Sequence, residues 1–137
     1  MSKVLIASDH AGLPGKETIK QTLDQMGIEF EDLGTNSEES VDYPDYAEQV
    51  ARRVAAGEAE RGILVCGSGI GMQIAANKIP GIRAALAWNE ETAKLAREHN
   101  DANIVAVGSR TTPPETIAQI TRAFLTTDFA AGRHTRR

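Results

Sequence analysis

Residues 62–77 read GILVCGSGIGMQIAAN. A five-residue apolar run is short enough for a buried strand, the glycines that follow punctuate it, and the remainder is rich in helix formers. A strand that turns tightly into a helix is half of a β-α-β unit, and the surrounding sequence repeats the pattern. Upstream, KVLIAS (3–8) reads as a strand and GKETIKQTLDQMG (15–27) as a helix, with Ile19, Leu23 and Met26 on one face and Gly27 as its stop. IEFEDLG (28–34) alternates like a half-buried strand, and DYPDYAEQVARRVAAGEA (42–59) carries Tyr46, Val50 and Val54 along one helical face from Pro44 onward. Downstream, the helix GMQIAANK (71–78) leads to the strand IRAALAW (82–88). NEETAKLAREHN (89–100) opens on the N-cap Asn89, followed by two glutamates in the first turn. The strand ANIVAVG (102–108) and the proline-initiated helix PPETIAQITRAFLTTD (113–128) complete the series. Five β-α repeats predict a three-layer α/β/α sandwich, Rossmann-like, with a five-stranded parallel sheet, in a single domain over residues 1–137.

Composition fits that reading: 137 residues, 41% hydrophobic and 25% charged, suffice for one core. No run of 18 apolar residues occurs, and Asp9 and His10 interrupt MSKVLIASDH early, so neither a membrane span nor a secretion leader is expected. The sequence predicts a cytoplasmic protein. Its one cysteine has no intrachain partner, so the thiol is either a buried filler or a reactive group in a reducing compartment. A net charge of -4 argues against nucleic acid as a partner, although charge is uneven: the acidic EFEDLGTNSEESVDYPD (29–45) contrasts with the basic GRHTRR (132–137). That tail reads either as a local anion site or as a solvated, frayed end.

In a parallel sheet, ligands bind beyond the carboxyl ends of the strands. There the sequence places Asp9 and His10 (SDHAG), Cys66 and Ser68 (CGSGIG) and Arg110 (GSR). His99 and Asn100, from the helix ending REHND, are expected at the same edge. The turn Gly67–Ser68–Gly69–Ile70–Gly71 offers N–H groups and a helix N-terminus to an anion or to an oxyanion formed during reaction. Glycines in such a turn also serve simply to make room. It lacks the third glycine of a dinucleotide fingerprint and the Gly-Lys-Ser/Thr of a P-loop, which disfavours NAD or ATP. Cys66 beside a helix start is either a base or a small buried apolar residue. His99 is either an acid or a cation complementing a helix C-terminus, and His10 either a ligand or half of a turn pair with Asp9. No metal is expected, because these residues lack the close spacing of metal sites.

SDHAG, DYPDYA, CGSGIGMQIAANKIPGIRAA, AREHNDANIVAVGSR and GRHTRR, in that order, resemble the ribose-5-phosphate isomerase B family, which also includes galactose-6-phosphate isomerase subunits. The resemblance runs from the first strand to the last residue. It implies interconversion of ribose 5-phosphate and ribulose 5-phosphate through an enediolate, in the pentose phosphate pathway, without a cofactor. It also implies Cys66 as the base between C1 and C2, since the branch lacking that cysteine uses a glutamate where this chain has Met72. Ser68 would shuttle protons between O1 and O2, the GSGIG turn would stabilise the enediolate, and His99 would assist ring opening. Asp9, His10, Tyr43 and Asn100 would bind the sugar, and Arg110, Arg133 and Arg137, with His134 nearby, would hold the phosphate. The tail arginines would act across a subunit interface in a homodimer or tetramer with shared sites. A six-carbon phosphate such as allose or galactose 6-phosphate, or a non-catalytic phosphate-binding domain, are the alternatives.

Overall fold

The computed structural model describes residues 3–137. Five parallel strands, β1 (Val4–Ser8), β2 (Phe30–Asp32), β3 (Gly62–Cys66), β4 (Ala84–Leu86) and β5 (Ile104–Gly108), lie in the order β2-β1-β3-β5-β4. Every residue of β1, β3 and β5 is buried, as expected of strands covered on both faces and written as unbroken apolar runs. The helices are α1 (Leu13–Met26), α2 (Tyr43–Ala55), α3 (Ile70–Asn77), α4 (Glu90–Glu98) and α5 (Pro114–Thr126).

Strand alternation divides the core in two. Val4, Ile6, Ile63, Val65, Val105 and Val107 meet α1, α4 and α5 through Ile19, Leu23, Ala93, Ile117, Ile120 and Phe124. Leu5, Ala7, Leu64, Cys66, Ile104 and Ala106 meet α2 and α3 through Val50, Val54, Met72 and Ala76. Burying each large aliphatic side chain contributes about 2 kcal/mol, so these layers supply the main drive for folding. Local signals agree with the packing. Gly27 closes α1 in the left-handed conformation at φ 68°, and Asn89 caps α4 in a capping box with Thr92.

The sequence reading extended β2 over 28–34, β4 over 82–88 and β5 over 102–108, whereas their ladders cover only 30–32, 84–86 and 104–108. β2 and β4 are edge strands, and β2 is half-buried throughout rather than alternating. Two buried cations were not anticipated. Lys16 is fully enclosed, bonded from Nζ to Asp32 Oδ1 at 2.9 Å. Arg97 donates to the Thr127 and Ala102 carbonyls at 3.1 and 2.7 Å and to Asp101 Oδ1 at 2.9 Å, tying α4 to the segment that follows α5.

Both acids of β2 hold their charge in the folded chain. Hydrogen bonds from Arg53 and then Lys3 bring Glu31 from 4.5 down to about 2. Burial works in the opposite direction on Asp32, but Lys16, the Gly34 N–H and Lys20 together hold it below its ordinary value. Folded-state values below the unfolded ones contribute stability that is complete above about pH 4.5 and lost as pH falls toward 2. The urea midpoint should therefore drop across that window, and Glu31→Gln should flatten the drop; a variant with the wild-type slope would show that Glu31 does not carry it.

Candidate functional site

β1 has β2 on one side and β3 on the other, so the chain leaves its end and that of β3 in opposite directions and opens a crevice between them. Asp9 N donates to Val65 O at 3.2 Å, fixing the β1 end against β3. The Asp9 carboxylate then accepts from Gly12 N at 2.9 Å and caps a 3-10 turn over His10–Gly12. The ring of His10 is anchored too, because Nδ1 accepts from Val41 N at 3.2 Å. Across the crevice, Ser109 N donates to Cys66 O and Arg110 N to Gly67 O, which brings Arg110 beside the glycine-rich turn.

Cys66 is 5% exposed at the end of β3, and Gly69 N donates to its Sγ at 3.1 Å. Gly69 must be glycine: its φ is 83°, and a Cβ there would lie 2.7 Å from Leu86 and 2.9 Å from the Val107 carbonyl carbon. Ser68 Oγ accepts from Ile70 N at 3.3 Å. Among the described residues no protein acceptor takes the N–H groups of Gly67, Ser68 or Gly71, and all three residues line the same pocket as Cys66. The Tyr43 ring lies so close to Gly71 that a Cβ there would be 2.6 Å from it. Met72, by contrast, is fully buried in the α2/α3 core. The resulting open pocket of about 680 Å³ brings together Asp9, His10, Tyr43, Cys66, four residues of the glycine-rich turn (Gly67, Ser68, Ile70 and Gly71) and Arg110, with Ile74 and Thr111 also in its wall.

His99 and Asn100 are elsewhere, which corrects the expectation of a single edge. A helix returning between parallel strands runs antiparallel to them, so the end of α4 reaches the amino edge of the sheet. Arg83, which precedes β4, bonds from Nε to Asn100 O at 2.5 Å. The basic tail joins this second cluster instead of fraying. Ala130 N donates to Glu98 O, a 3-10 turn spans Gly132–His134, and the His134 ring stacks on His99 with centroids 4.4 Å apart and planes 17° from parallel. Arg133 Nε lies 3.4 Å from His134 Nε2 and Arg137 Nη1 lies 3.3 Å from Nδ1. Asn100, His134 and Arg137 line a small cavity with Arg83.

Sequence reasoning missed Arg83 and Lys16. The former lies within the motif CGSGIGMQIAANKIPGIRAA but near the start of a predicted strand, away from the carboxyl ends where ligands are expected. Lys16 had a signal: it falls three and seven residues before Ile19 and Leu23, on the buried face of α1.

A doubly wound parallel α/β protein with a thiol-bearing strand-end pocket is the class that fold and site define. Comparison with known proteins makes it particular. The chain matches Ribose/Galactose Isomerase over residues 4–137 and belongs to that family. It is 45% identical over 137 residues, all of this chain and 92% of the relative, to ribose-5-phosphate isomerase B of Escherichia coli K12. Among solved structures it is similar to type B ribose 5-phosphate isomerase of Trypanosoma brucei, with TM-score 0.94 and 55% identity over 100% of this chain and 95% of that one. It is also similar to ribose-5-phosphate isomerase B of Mycoplasma genitalium, with TM-score 0.94 and 42% identity over 98% and 90% of the two chains.

Burial, followed by His99 and the two arginines, pushes His134 below its ordinary 6.5. Guanidinium groups only donate, so the docked ring must keep a lone pair to accept from either. A folded value below the unfolded one means that tail docking is complete above about pH 6.5 and weakens as pH falls below it. In phosphate-free buffer the ring signals of His134 should titrate below 6.5, with amide protection at Ala130 declining in step; titration above 6.5 would contradict this account.

Proposed function

We propose that the protein interconverts D-ribose 5-phosphate and D-ribulose 5-phosphate, with Cys66 as the base. The carrying observation is a pocket lined by Cys66 together with Gly67, Ser68 and Gly71, whose N–H groups have no protein acceptor among the described residues. The Mycoplasma genitalium relative binds ribulose-5-phosphate, which supports the substrate.

Aldose-ketose exchange moves one proton from C2 to C1 and another from O2 to O1, leaving the formula unchanged. The Cys66 thiolate takes the C2 proton, and the electron pair left behind forms an enediolate whose charge rests on the oxygens. The N–H donors of Gly67, Ser68 and Gly71 stabilise that charge without reorganising, which lowers the barrier rather than merely binding substrate. The thiol returns its proton to C1, while the Ser68 hydroxyl, which both accepts and donates, carries the proton between O2 and O1. Asp9, His10 and Tyr43 hold the sugar hydroxyls. A buried Met72 has no titratable group to compete with the thiol.

The ring-opening acid His99, with Asn100, Arg133, His134 and Arg137, is supplied by a second copy of the chain, so that each site spans two subunits of a homodimer or of a tetramer built from dimers. What supports this is geometric: the two clusters occupy opposite edges of one sheet, while one substrate needs both. Arg110 and the partner's tail arginines grip the dianionic phosphate, where a planar fork gives two parallel hydrogen bonds. The free thiol and its role as a base suit the reducing cytoplasm.

Cys66→Ala should lower turnover on ribose 5-phosphate by about 10²- to 10⁴-fold while leaving substrate affinity nearly unchanged. Stopped assays with equilibrium binding test this, and ordinary turnover in the variant would sink the assignment.

A further inference from the structure

Lys16 is among the largest fully enclosed side chains of the described residues and carries an ammonium. Its Nζ donates to Asp32 Oδ1 at 2.9 Å, to Asn36 Oδ1 at 3.1 Å and to the Thr35 carbonyl, so all three of its donors are used. An apolar residue of similar volume would fill the same space without desolvating a charge. What the cation adds is a three-point hold on residues 32–36. That segment meets the pocket twice. Thr35 N donates to Ser8 O and Ser8 N to Gly34 O, both at 2.8 Å, clamping the residue that immediately precedes Asp9 and His10. The chain then runs on to Val41, whose N–H donates to His10 Nδ1, and to Tyr43, whose ring lies on Gly71. A backbone N–H can only donate, so Nδ1 holds the lone pair and the proton of the neutral ring sits on Nε2, the nitrogen left for a ligand.

We propose that Lys16 is a positioning residue for the substrate pocket: through the segment 32–43 it fixes His10 in the Nε2–H tautomer and sets Tyr43 against Gly71. The inference rests on the isomerase reading only for the identity of the ligand. Lys16 touches no reacting atom; it acts through the backbone that it ties.

The test is Lys16→Met combined with Asp32→Asn, which removes both charges together and leaves neither buried alone. Thermal unfolding establishes that the variant folds. Long-range ¹H–¹⁵N spectra at about pH 8, where histidine is neutral, then read the His10 tautomer, and steady-state kinetics separate KM from kcat. The expected result is an Nδ1–H form of His10 beside the Nε2–H form, with KM for ribose 5-phosphate raised about tenfold and kcat changed much less. Should the double variant fail to fold, Asn36→Leu at an exposed position removes one of the three ties and should shift both readouts the same way, with KM rising about threefold. A folded variant in which either the tautomer pattern or KM is unchanged overturns the proposal. Failure of the isomerase reading would appear separately, as an inactive wild type, and the His10 spectra would still decide the role of Lys16.

Discussion

The pairing of β1 with β3 is the constraint on which the pocket depends. Its register sets Ser8 against Val65, and one further hydrogen bond, from Asp9 N to Val65 O, carries the ladder a residue beyond the strand. On the far side β3 pairs with β5, Cys66 facing Gly108, and Ser109 and Arg110 continue that ladder onto Cys66 and Gly67. Three strand ends are thus locked before any side chain is chosen, and Asp9, Cys66 and Arg110 inherit their spacing from backbone hydrogen bonds. Groups mounted this way stay near their working geometry at little entropic cost when a ligand arrives.

The same architecture separates the His99 cluster from the thiol pocket. Each helix must run back against its strand, so a residue at the end of α4 lies a full strand length from the thiol. The His99 cluster is nevertheless well organised: two rings stack, two guanidinium groups flank one of them, and Arg97 anchors the chain leading into the tail. Under the proposed shared site, the cationic cluster at one edge and the thiol pocket at the other are complementary halves, which a symmetric pair of chains would present to each other twice.

The elements of the fold could be read from the sequence because the apolar runs of β1, β3 and β5 are continuous and the helix boundaries carry strong signals, as at Gly27 and Asn89. Edge strands were less legible: at β2 and β4 one side lacks a partner, and periodicity persists beyond the last ladder bond. In the pocket, motif and position agree for Asp9, His10, Cys66 and Arg110 because each lies at the carboxyl end of a strand or within two residues of it. His99 departs from its expected edge because α4 precedes β5 and so ends where that strand begins, not where it finishes. Lys16 went unremarked because a lysine in a polar-looking helix ordinarily reaches solvent, and the acceptors that satisfy it, Asp32, Thr35 and Asn36, are 16 to 20 residues away.

Whether two chains complete one site is best decided by mixing two disabled ones. Cys66→Ala keeps His99 and its cluster, and His99→Asn keeps the thiol pocket. Refolded together at equal amounts, half of the dimers are mixed and each has one intact site, so about a quarter of wild-type isomerase activity should return. Activity no greater than that of the two variants assayed apart would contradict the shared site and confine the reaction to groups on a single chain.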